Sequence, residues 1–126
     1  SKGKKTFLYD GGEQIRDWIY VKDHCEALWK LEENNLINDR FNISGNCEIQ
    51  NIKLAKQILN IMNKSNDLAC INPENHDDDN ELFNRKGHDL RYGSDCSKIK
   101  QKVYWEPTTK FNEGLRITID YYLKHY

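Results

Sequence analysis

The chain has 126 residues, which fits one domain with a modest core and is short for a two-domain nucleotide enzyme. Its net charge is −1 with 31% charged residues of both signs, which excludes a broad basic surface for nucleic acid or an anionic membrane. No apolar run approaches the roughly 18 residues of a membrane span, and the lysine-rich start lacks the apolar segment of a secretory signal. We therefore expect one soluble domain, residues 1–126, in which any anion site is local.

The four cysteines lie far apart in the sequence and form no CxxC pair. Zinc ligands usually come in closely spaced pairs, so the spacing does not support a metal centre. A lysine- and asparagine-rich chain without a secretory signal is typical of the cytoplasm, where thiols stay reduced. We predict a cytoplasmic protein with free thiols, no bound metal and no catalytic cysteine. Cys25 and Cys96 fall within helical patterns, where small buried residues are expected.

The chain begins with a short predicted strand at Thr6–Tyr9. Two consecutive glycines at 11 and 12 then allow a turn with positive φ, and the cation Arg16 follows, ahead of an apolar strand predicted at 18–21. A guanidinium between a flexible loop and a strand is placed to face an anionic ligand. The alternative is a solvated arginine that pairs with Asp17.

A first helix is predicted from about His24 to Glu33, because Asp23 and Glu26 have the spacing of a capping box. Its apolar stripe includes Leu28, while Trp29 lies off that stripe. Trp29 is therefore expected either to pack against a second partner or to be exposed to solvent.

The middle of the chain predicts a short strand at 40–44, which Gly45 and Asn46 end, and then a second helix. The apolar face of that helix is broad, so we expect it to be substantially buried. Asn51 opens it, and an N-cap is one interpretation of this asparagine.

A polar, acidic stretch at 63–80 shows no apolar period and predicts a mobile surface loop. His76 and the three aspartates after it suggest calcium. An EF-hand loop counted from Asp77 needs glycine at its sixth position and glutamate at its twelfth, whereas the chain has Leu82 and His88 there. We predict no metal site in this stretch.

A short strand predicted at 81–84 leads into the most basic turn of the chain. This turn gathers Arg85, Lys86 and His88 around a single glycine. A solvated basic turn and an anion site both fit this composition.

Two helices are predicted in the last part of the chain. Asp95 caps the first, at 96–102, which ends before the segment leading to Pro107 because the residue ahead of a proline avoids the αR region. Thr109 is expected to cap the second, in which Gly114 permits a neighbour to approach closely. The apolar face of that helix comprises Phe111, Leu115, Thr118 and Tyr122. We expect Trp105, between the helices, to serve the fold.

Five blocks in the same order resemble the C-terminal portion of nucleoside-diphosphate-glucose 4,6-dehydratases, in the extended branch of the short-chain dehydrogenase/reductases. They are YDGGEQIRDWIYVKDHCEAL at 9–28, FNISGNCEIQN at 41–51, RKGHDLRY at 85–92, DCSKIKQKVYWEP at 95–107 and FNEGLRITIDYYL at 111–123. The resemblance implies a mixed α/β fold with about four helices and a few short strands. This is the substrate-binding part of an NAD(P)-binding Rossmann-type protein, and the Rossmann core itself is missing.

The resemblance also implies five substrate-binding residues: Tyr9, Arg16, Asn51, Arg85 and His88. Tyr9 corresponds to a position near the nucleotide base, where its ring stacks on the base or fills core. The two arginines are expected to grip the diphosphate together, which suits bidentate phosphate contacts. Asn51 matches an asparagine on the diphosphate, a role compatible with a helix N-terminus. His88 matches a histidine at the ribose-phosphate region. The prolines of the family pattern next to these sites are Phe7 and Lys86 here.

The family's catalytic groups are not recognisable in the sequence. It has no glycine-rich dinucleotide turn, Tyr-x-x-x-Lys pair or acidic acid/base pair. We therefore expect no catalytic residue in this chain, and NAD is expected on the missing N-terminal domain of the complete enzyme. The implied whole is a hydro-lyase that converts dTDP- or UDP-glucose to the 4-keto-6-deoxy sugar, as in deoxysugar and rhamnose biosynthesis. The alternatives are a fragment of a related epimerase or decarboxylase and a non-catalytic sugar-nucleotide-binding or interaction module.

The expected partner is a nucleoside-diphosphate sugar, with thymidine and uridine both open, and neither nucleic acid nor a membrane is expected. The resemblance implies a homodimer for the complete enzyme, formed by helices of the missing half. The helix around Trp29 and the strand at 40–44 are expected to pack on that half. We therefore predict that this chain alone exposes an apolar patch and self-associates.

Overall fold

The computed structural model describes residues 5–36, 38–70 and 87–125. Where the length suggested one domain, the chain divides into two compact units. The first unit combines residues 1–16 and 49–92, and the second combines residues 17–48 and 93–126. None of the helices in the described ranges has the length and apolar character needed to cross a membrane.

The described residues form a mixed α/β fold of four α-helices and four short strands, as the resemblance implied. In chain order these are β1 (Thr6–Phe7), β2 (Ile15–Asp17), α1 (Val21–Glu33), β3 (Glu48–Gln50), α2 (Asn51–Ile61), β4 (Ala69–Cys70), α3 (Ser97–Val103) and α4 (Phe111–His125). Two 3-10 turns lie at Tyr9–Gly12 and Asn66–Leu68. Strand β1 pairs in parallel with β4, and β2 pairs with β3.

The first unit is built around the start of α2. The carbonyl of Gln14 accepts the N–H of Asn51 at 2.9 Å. Gly12 has φ +74°, and a Cβ there would stand 2.9 Å from the Cβ of Ile52. Only glycine fits both the backbone conformation and the space, so the predicted glycine turn also sets how closely this loop approaches α2.

The second unit has an apolar core shared by α1, α3 and the segment after α3. Its buried members are Ala27, Leu31, Ile99, Val103 and Trp105, and the Trp105 ring is only 1% exposed. Partly buried side chains pack against it: Ile19, Leu36, Phe41, Ile43 and Cys96. Trp105 therefore serves the fold, as predicted. Gly114 of α4 also allows the expected close approach, because a Cβ there would lie 3.0 Å from the Cβ of Tyr20.

The predicted capping box at the start of α1 was wrong. The helix begins at Val21, and Tyr20, at the N-cap, makes no side-chain cap. Asp23 is 3% exposed and accepts hydrogen bonds from the N–H and Oγ1 of Thr109, both at 3.0 Å, and from Oγ1 of Thr108 at 3.3 Å. Helix α4 begins at Phe111, so Thr109 lies two residues ahead of it and is not its N-cap as predicted; its hydroxyl and N–H instead satisfy the buried carboxylate of Asp23.

Three predicted strands differ from the structure. The strand after Arg16 lies at Ile15–Asp17, so Arg16 is within it, and the apolar run at 18–21 leads into α1. The first strand ends at Phe7 and not at Tyr9, because the 3-10 turn begins at Tyr9. Residues 40–44 form no strand, because no strand in the described ranges pairs with their backbone; Phe41 and Ile43 pack on the core of the second unit.

The predicted loop at 63–80 was also wrong in part. The described portion contains the 3-10 turn Asn66–Leu68 and strand β4. Ser65 caps the turn, because its Oγ accepts the N–H of Asp67 at 3.3 Å. The rest of that stretch, and the strand predicted at 81–84, lie outside the described residues.

Several apolar side chains are more exposed than their periodic patterns predicted. Leu28 of α1 is 51% exposed and Tyr122 of α4 is 58% exposed. Trp29 is 63% exposed, so of its two predicted alternatives the structure has the one in which solvent meets it. In α2 only Leu54 is fully buried, while its other apolar side chains are half-buried. The thiol of Cys25 is exposed and free. A short chain covers only one side of each helix, so the second apolar rows stay open to solvent.

The start of α3 differs from the prediction by one residue, because the helix begins at Ser97 and its N-cap is Cys96, which makes no side-chain cap. The carboxylate of Asp95, one residue before the N-cap, accepts the N–H of Ser97 at 2.8 Å. This hydrogen bond from the Ser97 backbone holds the pKa of Asp95 below its ordinary value.

Candidate functional site

Four of the five predicted substrate-binding residues are described, and all four belong to the first unit: Tyr9, Arg16, Asn51 and His88. The fifth, Arg85, lies outside the described residues. Residues separated by up to 79 positions in sequence are thus brought into one compact unit.

Arg16, on β2, holds the segment that follows Gly87. Nη2 donates to the carbonyl of Asp89 at 3.1 Å and lies 2.9 Å from Nε2 of His88. Nη1 donates to the carbonyls of Ile15 at 2.7 Å and Leu90 at 3.4 Å. These contacts fix the position of the guanidinium, which ordinarily moves freely on its long side chain.

Strand β2 and this segment are also joined through their backbones. The N–H of Ile15 donates to Leu90 at 2.7 Å, and the N–H of Tyr92 donates to Ile15 at 3.1 Å. The Tyr92 ring lies under the guanidinium of Arg16, with its centroid 4.3 Å from Cζ, a cation–π distance. Arg16 is therefore part of a rigid edge.

The alternative partner for Arg16 was Asp17. Its carboxylate instead accepts the backbone N–H groups of Gly45 at 3.0 Å and Cys47 at 3.1 Å. Successive residues of a strand point to opposite faces, which separates the two neighbouring charges. Asp17 therefore serves the fold of the second unit.

His88 lies between a cation and an anion. A guanidinium only donates hydrogen bonds, so Nε2 of His88 accepts from Arg16 and the ring proton sits on Nδ1. Nδ1 is buried, makes no hydrogen bond within the described residues, and lies 3.6 Å from Oδ2 of Asp10. The side chain of His88 is 21% exposed, so this part of the basic turn is not freely solvated.

Asp10 and Gln14 complete this arrangement, and neither was a candidate from the sequence. Gln14 is 3% exposed and donates from Nε2 to Oδ2 of Asp10. Asp10 has φ 44° and ψ 46°, the left-handed region that aspartate tolerates better than most residues. An aspartate directly before two glycines was the one signal available, and no local pattern indicates that it meets His88.

Asn51 is the first residue of α2, not its N-cap, which is Gln50. The helix follows β3 directly, and the backbone N–H of Asn51 donates to the carbonyl of Gln14. The side chain of Asn51 therefore does not cap the helix. The side-chain oxygens of Asn51 and Gln14 are buried and have no hydrogen-bond partner within the described residues. Such atoms are uncommon in folded proteins and are expected to meet a ligand or water.

Tyr9 opens the 3-10 turn and is 52% exposed. The alternative in which its ring fills the core is therefore wrong, because the ring of a core residue would be covered. The prediction that this ring stacks on a base remains a prediction.

Comparisons with known proteins agree with these features. A family model described as GDP-mannose 4,6 dehydratase matches residues 1–118. The dTDP-glucose 4,6-dehydratase of Haemophilus influenzae is 38% identical over 125 residues, which is 96% of this chain and 36% of that protein.

Solved structures agree as well. The dTDP-glucose 4,6-dehydratase of Bacillus anthracis, solved in complex with NAD, has 31% identity and a TM-score of 0.81, over 98% of this chain and 36% of that one. That of Streptomyces venezuelae, also solved with NAD, has 26% identity and a TM-score of 0.82, over 98% of this chain and 35% of that one.

The chain thus spans about a third of the length of the relatives it matches. The fold is that of Rossmann-type extended short-chain dehydrogenase/reductases, and the resemblance drawn from the five sequence blocks is confirmed. Because the family model extends over residues 1–118, the chain belongs to the GDP-mannose 4,6-dehydratase family.

Proposed function

We propose that this chain is the nucleotide-sugar-binding part of a nucleoside-diphosphate-glucose 4,6-dehydratase that acts on dTDP- or UDP-glucose. The observation that carries the proposal is the fixed guanidinium of Arg16, 2.9 Å from His88 in the unit that also holds Asn51 and Tyr9. In this unit an anion, a ribose and a base can each meet a side chain of suitable chemistry.

The charge on Arg16 favours an anionic ligand. Its described hydrogen bonds go to three backbone carbonyls and one imidazole, none of which carries a full negative charge. A phosphate oxygen would supply that charge and could accept a charge-assisted hydrogen bond, stronger than a neutral one, from the Nε–H of Arg16, which the four described contacts do not use. Because the guanidinium is already ordered, little side-chain entropy is lost when a ligand binds.

The buried side-chain oxygen of Asn51 fits the same proposal. It accepts hydrogen bonds and therefore suits a hydroxyl group or the N–H of a base, while the amide nitrogen of the same side chain can donate to a phosphate. Tyr9 offers an exposed ring for stacking. Arg85 remains a proposed second phosphate ligand, which the sequence pattern supports.

The proposed role of this chain is binding and orientation of the nucleotide sugar. In the complete enzyme NAD would take up and return the hydride, held by a Rossmann domain. The chain carries no glycine-rich dinucleotide turn, so no redox step is assigned to its residues. We propose a cytoplasmic location from the composition of the chain, and a homodimer for the complete enzyme from the resemblance.

Titration calorimetry tests the proposal. We expect the chain to bind dTDP, with UDP as the competing nucleotide, and Arg16→Ala to weaken binding by about 1.5–3 kcal/mol, the range for hydrogen bonds to charged groups. Arg116→Ala is the matched control, because Arg116 is an exposed arginine of α4 in the second unit and its loss removes the same charge. An equal effect of the two substitutions, or no binding to the unaltered chain, would contradict the proposal.

An activity assay tests the part of the proposal that limits this chain to binding. The chain incubated with dTDP-glucose and NAD is expected to form no 4-keto-6-deoxy product, because binding groups alone cannot transfer a hydride. Product formed by the pure chain would show that its residues do more than bind.

A further inference from the structure

The proposed binding site leaves two polar residues of the first unit without a role. Asp10 is partly buried, with 29% of its side chain exposed, and Gln14 is almost fully buried. Both lie in the loop between β1 and β2. The carboxylate of Asp10 repels a phosphate, and the amide nitrogen of Gln14 donates to that carboxylate. Their positions call for another explanation.

The two residues are connected to Arg16 through a chain of contacts that passes through the ring of His88. Gln14 donates to Oδ2 of Asp10, and the same oxygen lies 3.6 Å from Nδ1 of His88. On the other side of the ring, Nε2 lies 2.9 Å from Nη2 of Arg16. An imidazole that accepts at Nε2 must carry its proton on Nδ1, and Asp10 provides the acceptor that this proton faces.

The backbone supports the same interpretation. Asp10 occupies the left-handed region at φ 44°, a conformation that costs free energy for a residue with a Cβ. The two residues after it are glycines, which adopt this conformation without cost, yet position 10 itself holds an aspartate. A strained residue in a functional loop persists where its side chain has a task.

We infer that Asp10 is a positioning residue of the nucleotide site: it holds the His88 ring with its proton on Nδ1, so that Nε2 accepts from Arg16 and orients the guanidinium. Gln14 holds the carboxylate in turn. The inference rests on the proposed function for its ligand, but the state of the ring is a property of the chain without ligand. Asp10 touches the ring and acts on the ligand only through Arg16.

The state of the ring is measured by 15N NMR of the chain with labelled histidines, and the His88→Gln variant assigns the signals of His88 by their loss. In the unaltered chain we expect Nδ1 at the chemical shift of a protonated ring nitrogen and Nε2 at that of an unprotonated one. Asp10→Gly removes the carboxylate and permits positive φ, so the fold is kept. In this variant we expect averaged shifts from two tautomers or a reoriented ring.

Asp10→Asn is the conservative rescue. Asparagine tolerates the left-handed region and keeps one acceptor oxygen, and a single oxygen serves both Gln14 and His88 in the unaltered chain. We expect the tautomer of the unaltered chain in this variant. A purely structural role for Asp10 would leave the ring signals of all three proteins alike, and that result would overturn the inference whatever happens to ligand affinity.

Calorimetry with dTDP links the ring to the ligand. We expect Asp10→Gly to weaken binding about tenfold, which is roughly 1.4 kcal/mol, and Asp10→Asn to restore most of the loss. An unchanged affinity in Asp10→Gly would overturn the positioning role even if the tautomer changes. Failure of the unaltered chain to bind dTDP would instead contradict the proposed function, while the NMR result on the ring would still stand.

Discussion

The two units of the chain are stabilised by different kinds of residue. Of the fully buried apolar side chains in the described ranges, only Leu54 belongs to the first unit, whereas the second holds the cluster around Trp105 and Ile99. The first unit instead buries Gln14 and orders its loops through Arg16. The second unit therefore owes its fold to apolar burial, and the first depends on polar contacts that a ligand can join.

This difference explains why acidic residues have opposite roles in the two units. In the second unit Asp23 and Asp17 satisfy hydrogen-bond donors of their own unit, with several protein contacts each. In the first unit, Asp10 lies beside His88, whose Nδ1 makes no hydrogen bond to any residue that the structure describes. Fully satisfied polar groups stabilise a fold, and partly satisfied ones mark a place where a ligand or a conformational choice enters.

The largest expected effect tests the core of the second unit. Trp105→Ala removes an almost fully buried ring and should lower the free energy of unfolding by about 3–5 kcal/mol, measured by urea denaturation. The neighbouring Tyr104 is 88% exposed, so Tyr104→Ala is the matched control and should change stability by no more than about 0.5 kcal/mol. Similar losses in both variants would break the contrast between an apolar core and its surface.

A smaller effect is expected from the glycine turn of the first unit. Gly12 and Gly87 both have positive φ, at +74° and +77°, but a Cβ on Gly12 meets Ile52 and Leu8 at 2.9 Å while one on Gly87 meets nothing within 4 Å. Gly87→Ala should cost about 1–2 kcal/mol for the backbone alone. Gly12→Ala should cost a further 1–3 kcal/mol or so for overpacking, by urea denaturation.

Amide hydrogen exchange shows where each loss falls. Protection in the Gly12→Ala variant should drop around α2, and protection in the Trp105→Ala variant should drop in α1 and α3, because local stability follows local contacts. If Gly87→Ala proved as costly as Gly12→Ala, the close approach to α2 would not be what fixes this loop.

The sequence allowed the periodic elements to be predicted and candidate ligand-binding residues to be proposed, for different reasons. Helices α2 and α4 have strong apolar periodicity, and Arg16, Asn51 and His88 were found by the resemblance of their motifs. Local pattern failed where a side chain serves a distant partner. Asp23 has the spacing of a capping box, but it binds Thr109, 86 residues away.

The same limit applies to the network around His88. Asp10 and Gln14 lie within one loop, and their link to a histidine 78 positions from Asp10 exists only after the chain has folded. Residues 40–44 alternate as a strand does and were expected to pack on a further domain, whereas Phe41 and Ile43 pack on the core of the second unit. No strand in the described ranges pairs with them. Pattern predicts which face is buried better than it predicts which partner buries it.

The most direct test of the account is to map dTDP binding on the amide NMR spectrum of the chain. We predict that chemical-shift changes concentrate in the first unit, at residues 9–16, at the start of α2 and at 87–92, while the amides around Trp105 and Ile99 keep their positions. Changes that centre on the core of the second unit, or a spectrum that dTDP leaves unchanged at saturating concentration, would contradict the claim that the first unit is the nucleotide-binding part.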